Sequence, residues 1–133
     1  STNSFSCGTS SSATATTIAV GNFTKNQADA STTNTISGLG LTPSLVLLNC
    51  NQDSTDEDSR GWSNSTTQGA TYGGSTAATW LTSATEAIVI DETSGNNNVA
   101  TVGNFVSGAF DVVWTKTGSP TGTTDCNYVA FDF

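Results

Sequence analysis

The chain has 133 residues, of which only 11% are charged, and its 3 basic and 11 acidic residues give a net charge of -8. This length suits one domain with a real hydrophobic core, and the acidic balance argues against nucleic acid, whose phosphates it would repel. No apolar run approaches the roughly 20 residues that a helix needs to cross a bilayer, and no signal segment opens the chain, so we expect a soluble protein without a membrane partner.

The first predicted element is a polar segment, residues 1–16, made almost entirely of Ser, Thr, Ala and Asn. Phe5 and Cys7 are its only large or soft apolar side chains, so alone it cannot bury enough surface to order itself. Two interpretations stay open: a flexible tail, or an N-terminal arm that orders against a neighbouring subunit with Phe5 and Cys7 as anchors. In both, residues 17–133 form a single β-sandwich domain.

From residue 17 onward, short apolar segments rich in β-branched and aromatic residues alternate with Gly, Asn, Ser and Asp clusters about every ten residues. This rhythm is typical of a β-sandwich. The predicted strands are 17–24, 33–36, 44–50, 61–63, 78–82, 86–91, 98–106, 110–115 and 127–133. The predicted fold class is all-β: an antiparallel two-sheet sandwich, jelly-roll-like, with eight or nine short strands and little or no helix.

Period-two alternation assigns side chains to the two faces of a strand. The sets that share a face are Ile18, Val20 and Asn22; Phe110, Val112 and Trp114; Tyr128, Ala130 and Asp132; and Val129, Phe131 and Phe133. Because Trp114 is in phase with two other large apolar residues, we expect it in the core.

The three cysteines, Cys7, Cys50 and Cys126, are far apart in a chain without His. They are too few for a tetrahedral zinc site, which needs four ligands of these kinds. We favour the interpretation that they are buried, reduced side chains, since their number is odd and nothing marks a secreted protein. A disulfide between two of them is the alternative.

Four carboxylates follow the most hydrophobic run of the chain: Asp53, Asp56, Glu57 and Asp58. Calcium prefers several oxygen ligands, so a calcium site is one hypothesis. An EF-hand loop begun at Asp53 would need Gly at its sixth place and Glu at its twelfth, where Asp58 and Asn64 stand. We therefore favour a solvated connection, and we predict no metal and no other cofactor.

Nucleophilic catalysis by Ser or Cys needs a base, usually His, and the chain has none. We therefore predict that the protein is not an enzyme. A glycosidase needs only two carboxylates at a suitable separation, and the sequence cannot test that spacing because 11 acids offer many pairs.

Trp62 and Trp80 lie among polar, Gly-rich neighbours and are the candidates for contact with a partner. An exposed indole can stack on a sugar ring while nearby Asn, Asp and Gln supply hydrogen bonds, so host glycan is one candidate ligand. The alternative is the usual place of Trp in a core or a subunit interface.

Four segments stand out in this order: GNFTKN at 21–26, ISGLGLTPSLVLL at 36–48, FVSGAFDVVWT at 105–115 and YVAF at 128–131. Together they resemble a group of small β-sandwich proteins encoded among the structural genes of tailed phages and prophages, over residues 21–133. The chain departs from that group at Leu41, where the relatives tend to have an aromatic residue before the Pro turn. The shared motifs are turns and core strands, so the resemblance transfers no catalytic residue.

The resemblance implies a non-enzymatic virion structural protein, most specifically a capsid decoration (cement) protein that binds and stabilises the outer surface of the assembled shell. The implied partners are the major capsid protein and further copies of the chain, as a dimer or trimer. Such a protein would be made in the host cytoplasm and work on the outer capsid surface. The alternatives are a host-surface glycan-binding module of a head or tail fibre, and an extracellular filament subunit.

Overall fold

The computed structural model describes residues 16–53, 55–74 and 77–133, and these form β-strands and no helix. The strands are β1 (Thr17–Asn26), β2 (Thr33–Ser37), β3 (Leu45–Gln52), β4 (Asp58–Ser63), β5 (Gln68–Gly74), β6 (Ala77–Ser83), β7 (Ile88–Thr93), β8 (Asn96–Val106), β9 (Ala109–Thr117) and β10 (Thr123–Asp132). None of the described segments is a helix that could cross a bilayer. Phe5 and Cys7, with nearly all of the predicted arm, lie outside the described residues.

The strands make two antiparallel sheets that pack face to face. The six-stranded sheet has the order β1-β10-β3-β4-β5-β6, and the four-stranded sheet has the order β2-β9-β8-β7. Strands β3 to β6 and β7 to β9 are each neighbours in sequence and in space, so much of the connectivity is meander. The predicted all-β sandwich is confirmed, with ten strands instead of eight or nine.

The hydrophobic core lies between the two sheets. Phe110 on β9 meets Tyr128 on β10 edge to face, with ring centroids 5.3 Å apart, so an aromatic contact joins the sheets. Trp114 is 1% exposed, which confirms its predicted place in the core. Each fully buried side chain of this size contributes about 1.5 to 3 kcal/mol of hydrophobic stabilisation.

Polar side chains on β4 and at the start of β5 hold the two sheets together. The Val89 backbone N–H donates to Ser59 Oγ at 3.0 Å, and Ser63 Oγ donates to the Val102 carbonyl at 2.5 Å. The Val102 N–H donates to Gln68 Oε1 at 2.9 Å. Because these short side chains bond directly to the opposite backbone, the sheets approach closely here without leaving the buried groups unsatisfied.

The alternation of β1 places two of its large apolar residues on the solvent side and Phe23 in the core. Ile18 and Val20 share a face, as predicted, but they are 56% and 71% exposed. The buried face of the same strand carries Lys25, whose ammonium donates to the backbone carbonyls of Asp29 and Ala30 at 3.2 Å each. Burial lowers the pKa of Lys25 below its usual value.

Cys50 and Cys126 are buried, as predicted, but they form a disulfide, so the favoured interpretation that they are reduced was wrong. They lie directly opposite each other on the neighbouring strands β3 and β10, with their Cα atoms 4.1 Å apart. This is the close spacing of a non-hydrogen-bonded antiparallel pair. The 76 residues between them hid the pairing, because only the strand register brings them together.

Candidate functional site

On the solvent-facing side of the six-stranded sheet, which we call the outer face, the side chains form rows that cross the strands. Residues directly opposite each other in an antiparallel pair project to the same side. One row contains Val20, Val129, Leu47 and Trp62, and the row beside it contains Ile18, Phe131 and Leu45. Strands β1, β10 and β3 therefore bring apolar side chains from distant parts of the chain together on one surface.

This surface, the apolar strip, consists of Ile18, Val20, Leu45, Leu47, Val129, Phe131 and Phe133. Val20, Phe133 and Leu47 are 71%, 67% and 41% exposed. A shallow hollow of about 150 Å³ opens in the strip beside Leu47 and Val129. Single exposed apolar residues are ordinary on a protein surface, whereas a contiguous patch marks an interaction site.

Further along the strands the outer face becomes polar and then acidic. The row next to the strip contains Asn22, Asn127, Asn49 and Arg60, and the following row contains Thr24, Asp125, Asn51 and Asp58. From Ile18 to Thr24 the change takes six residues, or about 20 Å at a strand rise of about 3.3 Å. A partner that covers this face has to match an apolar, an amide and an acidic band in that order.

Two of the predicted contact residues lie on the same face: Trp62 is directly opposite Leu47 of the strip, and Trp80 lies two strands further, on β6. Trp62 on β4 leans over Gly69, and its Nε1 is 3.2 Å from the point that a Gly69 Cβ would occupy. Trp80 on β6 leans over Gly73 on β5, with three ring atoms 3.2 to 3.6 Å from the corresponding point. The two indoles, which are 41% and 55% exposed, thus lie against one strand from opposite sides.

Arg60 completes this surface, and we call Trp62, Trp80, Gly69, Gly73 and Arg60 the tryptophan platform. The guanidinium carbon of Arg60 is 5.7 Å from the ring centroid of Trp80, within range of a cation–π contact. The same guanidinium lies 3.3 Å from a carboxylate oxygen of Asp58. A groove of about 260 Å³ beside Arg60 and Trp62 is lined further by Gln68, Thr71, Thr82 and Ser83.

The acidic connection between β3 and β4 is less solvated than predicted. Asp53 and Asp56 are exposed, and Asp53 accepts a hydrogen bond from the first N–H of β10 at 3.0 Å. Glu57 is only 1% exposed and lies against Gly74, so the prediction of a solvated connection was wrong at this residue. Asp58 begins β4. Among the residues that the structure describes, no three side chains of His, Cys, Asp or Glu are grouped to hold a metal ion.

A hydrogen-bonded turn at the rim of the groove carries the chain from β6 to β7. Ser83 Oγ accepts the N–H groups of Thr85 at 3.2 Å and of Glu86 at 3.1 Å. Ser83 Oγ also donates to the Glu86 carboxylate, which accepts the Thr85 hydroxyl at 2.7 Å. These hydrogen bonds favour the ionised form, so the pKa of Glu86 lies below its ordinary value of 4.5.

We expect replacement of Glu86 by Gln to lower thermal stability at neutral pH and to leave less difference from wild type in acid. A carboxylate whose pKa is depressed by folding contributes stability above its unfolded pKa and loses that contribution as the pH falls through the folded one. The gap in melting temperature should therefore shrink below about pH 4.5. Melting curves followed by circular dichroism across this range test it, and a constant gap would contradict it.

The apolar strip is the part of the candidate site that sequence reasoning missed. Its signal was present in β10 and the residue after it, where Val129, Phe131 and Phe133 alternate with a second, largely apolar set. A strand with apolar residues on both faces has to expose one of them when only one face meets the core. The outer face is the exposed one.

The candidate site therefore consists of two neighbouring surfaces on one sheet face. The apolar strip lies on β1, β10 and β3, and the tryptophan platform lies on β4, β5 and β6. Phe5 and Cys7, the other predicted contact residues, lie outside the described residues. No family model, no curated protein and no solved structure matches this chain.

Proposed function

We propose that this protein is a non-enzymatic structural component of a tailed-phage virion, a capsid decoration (cement) protein that docks on the outside of the assembled shell through the apolar strip. The observation that carries the proposal is the contiguous exposure of large apolar side chains on one face of a sheet. The motifs within residues 21–133, interpreted in the sequence analysis as a resemblance to small β-sandwich proteins of tailed phages, motivate the choice of this particular assembly.

The strip suits tight docking because it is held by paired strands. Val20 on β1 and Leu47 on β3 are both directly opposite Val129 on β10, and both of their strands are hydrogen-bonded to β10. A surface whose backbone is already ordered loses little conformational entropy on binding. Each Å² of apolar surface removed from water contributes about 25 cal/mol, so burial of the strip is a strong driving force.

The bands beside the strip define the chemistry of the partner. Asn22, Asn127 and Asn49 would exchange hydrogen bonds, and Asp125 and Asp58 would face basic side chains. The net charge of -8 opposes close contact between two copies through this face. A major capsid protein with an apolar docking surface and a basic flank is therefore the occupant that we propose for the strip.

Contacts between copies of the chain would use the backbone edge of β1 and the N-terminal segment, and not the outer face. β1 is an edge strand of the six-stranded sheet, and residues 1–16 precede it in the chain. Edge strands accept additional strands from neighbouring subunits. An arm in residues 1–16, with Phe5 and Cys7 as anchors, would start beside the strip and reach the next subunit of a dimer or trimer.

The disulfide between Cys50 and Cys126 bears on where the protein works. Disulfides persist in oxidising surroundings and are rare in the cytosol. A protein made in the host cytoplasm would therefore complete this bond after release from the cell. The outer capsid surface is a location that fits this order of events.

The first test is the copy number in purified particles from the strain that carries the gene. Quantitative mass spectrometry should find the chain in hundreds of copies, in a simple ratio to the major shell protein. Only a few copies per particle would indicate a fibre or tail-tip protein and would contradict the proposed role as a decoration protein. Its absence from particles would also overturn the proposal and would favour a filament subunit.

The second test asks whether the strip is the docking surface. With particles that lack the protein, Val20→Asp and Leu47→Asp should each weaken binding of added protein by about tenfold or more, the loss typical of a central interface residue. Val113 is the matched control, because it is 42% exposed on β9, which belongs to the other sheet. Equal binding of Val20→Asp and Val113→Asp in a sedimentation assay would refute the assignment.

A further inference from the structure

We propose that the tryptophan platform binds a neutral, linear oligosaccharide, an activity separate from docking on the shell. Aromatic faces bind the C–H face of a sugar ring, while its hydroxyl groups need hydrogen-bonding partners at the edges of the ring. The platform offers both kinds of group on one exposed surface. The proposal rests on the position of the two indoles, on their spacing and on the polar residues between them.

The position of the indoles depends on two of the three glycines of β5, Gly69 and Gly73. Any side chain at Gly69 or Gly73 would meet an indole at about the closest distance that real contacts reach, since the ring atoms lie 3.2 Å from the Cβ positions. The missing side chains therefore let Trp62 and Trp80 lie against the strand. A ring supported in this way loses little rotamer entropy when a ligand binds, and 41% of Trp62 and 55% of Trp80 remain exposed to solvent.

The spacing of the indoles indicates a ligand of several sugar units. Gly69 and Gly73 are four residues apart on one strand, which corresponds to about 13 Å at a strand rise of about 3.3 Å. One sugar ring cannot contact both indoles at that separation, whereas a linear chain of sugars can. The ligand would lie along β5 and contact each indole with a different sugar unit.

The residues between the indoles are of the kind that bind hydroxyl groups. Arg60, Thr71 and Thr82 lie side by side on β4, β5 and β6, and Gln68 and Ser83 line the adjoining groove. Amide, hydroxyl and guanidinium groups donate or accept single hydrogen bonds from sugar hydroxyls. A purely apolar ligand would remove the Thr71 and Thr82 hydroxyls from water without replacing their hydrogen bonds.

The charges of the platform favour a neutral sugar over an anionic one. Arg60 is its cation, and the Asp58 carboxylate at 3.3 Å already balances that charge. The other two basic residues of the chain, Lys25 and Lys116, donate to carbonyls of the segment after β1. With a net charge of -8, the protein repels acidic polysaccharides at long range.

The test is titration of the purified protein with neutral linear hexasaccharides built from glucose, mannose, galactose or N-acetylglucosamine, with sulfated hexasaccharides as the anionic comparison. Indole fluorescence reports binding, because Trp114 is buried and the other two tryptophans form the platform. At least one neutral hexasaccharide should bind with a millimolar or lower Kd. Binding of the sulfated sugars alone, or no binding at several millimolar, would overturn the proposal.

Three variants connect binding to the platform, with calorimetry as the readout. Trp80→Ala should weaken binding by about tenfold, the equivalent of about 1.4 kcal/mol, and Trp80→Phe should keep most of the affinity. Gly73→Ala should also weaken binding, because it displaces the Trp80 ring without removing it. A Trp80→Ala protein that melts like wild type and binds as well would refute the platform.

The proposals for docking through the apolar strip and for sugar binding at the tryptophan platform can be tested independently of each other. Val20→Asp changes the strip on β1, which is four strands away from β5 in the sheet. It should reduce docking on the shell and leave sugar binding unchanged, whereas Trp80→Ala should do the reverse. Loss of sugar binding in Val20→Asp would contradict a separate site on β4 to β6.

Discussion

Replacement of Cys50 and Cys126 together by Ala is expected to lower the free energy of unfolding by about 4 kcal/mol. The bond closes a loop across 76 residues of sequence separation, and the entropy removed from the unfolded chain grows from about 3 kcal/mol for a loop of 15 residues to about 4.7 kcal/mol for one of 100. Each cysteine is 1% exposed, so the alanines also leave a small cavity in the core.

Urea unfolding with and without a reductant measures this effect. The wild-type protein in reductant should fall towards the stability of the double variant, and the variant itself should not respond to the reductant. The slope of the transition in urea should increase in the variant, because an unlinked chain exposes more surface when it unfolds. Equal midpoints for the oxidised wild type and the variant would show that the bond contributes no stability.

Gly61→Ala is expected to cost about 3 kcal/mol or more, the upper end of the range for overpacking. Gly61 lies on β4 where the two sheets approach, and a Cβ there would overlap the carbonyl oxygen of Ala87 and lie 2.8 Å from its carbonyl carbon. The Gly69 carbonyl is a further 3.0 Å neighbour. Since the obstacles are backbone atoms, no side-chain rotation relieves the clash, and the sheets would have to separate.

The control for this prediction is Gly103→Ala on β8. A Cβ at Gly103 has its nearest neighbours at 3.9 Å, which is ordinary contact. The substitution should be neutral or slightly stabilising, because Ala restricts the unfolded chain more than Gly does. Melting temperatures should differ by about 10 °C between the two variants for a domain of this size. Similar values would mean that the sheets can separate at Gly61 without cost.

The strands with large apolar residues in strict alternation could be predicted from the sequence. β9 is the clearest, since Phe110, Val112 and Trp114 point inward and Val113 points to solvent. β5 was not predicted, because its glycines lower strand propensity and carry no hydrophobic pattern. Its place as a strand depends on neighbours, since indoles from β4 and β6 cover two of those glycines.

The features that depend on strand register could not be predicted from the sequence. The pairing of Cys50 with Cys126 and the alignment of Val20 with Leu47 across Val129 both require the order β1-β10-β3. Nothing local fixes that order, because these strands are far apart in the chain. Trp62 and Trp80 lie on the surface, as their polar, Gly-rich neighbours indicated, while their common support on β5 depends on the pairing of β4, β5 and β6.

The pairing of β1 with β10 determines when, relative to synthesis of the chain, the six-stranded sheet can form. β1 aligns with β10 from Thr17 opposite Asp132 to Asn26 opposite Thr123, and β10 is also the partner of β3. Contacts of such long range form late, after β10 has been synthesised. The apolar strip therefore does not exist on a nascent chain that lacks β10, and a partner that recognises the strip distinguishes chains in which β10 has paired with β1 and β3 from chains in which it has not.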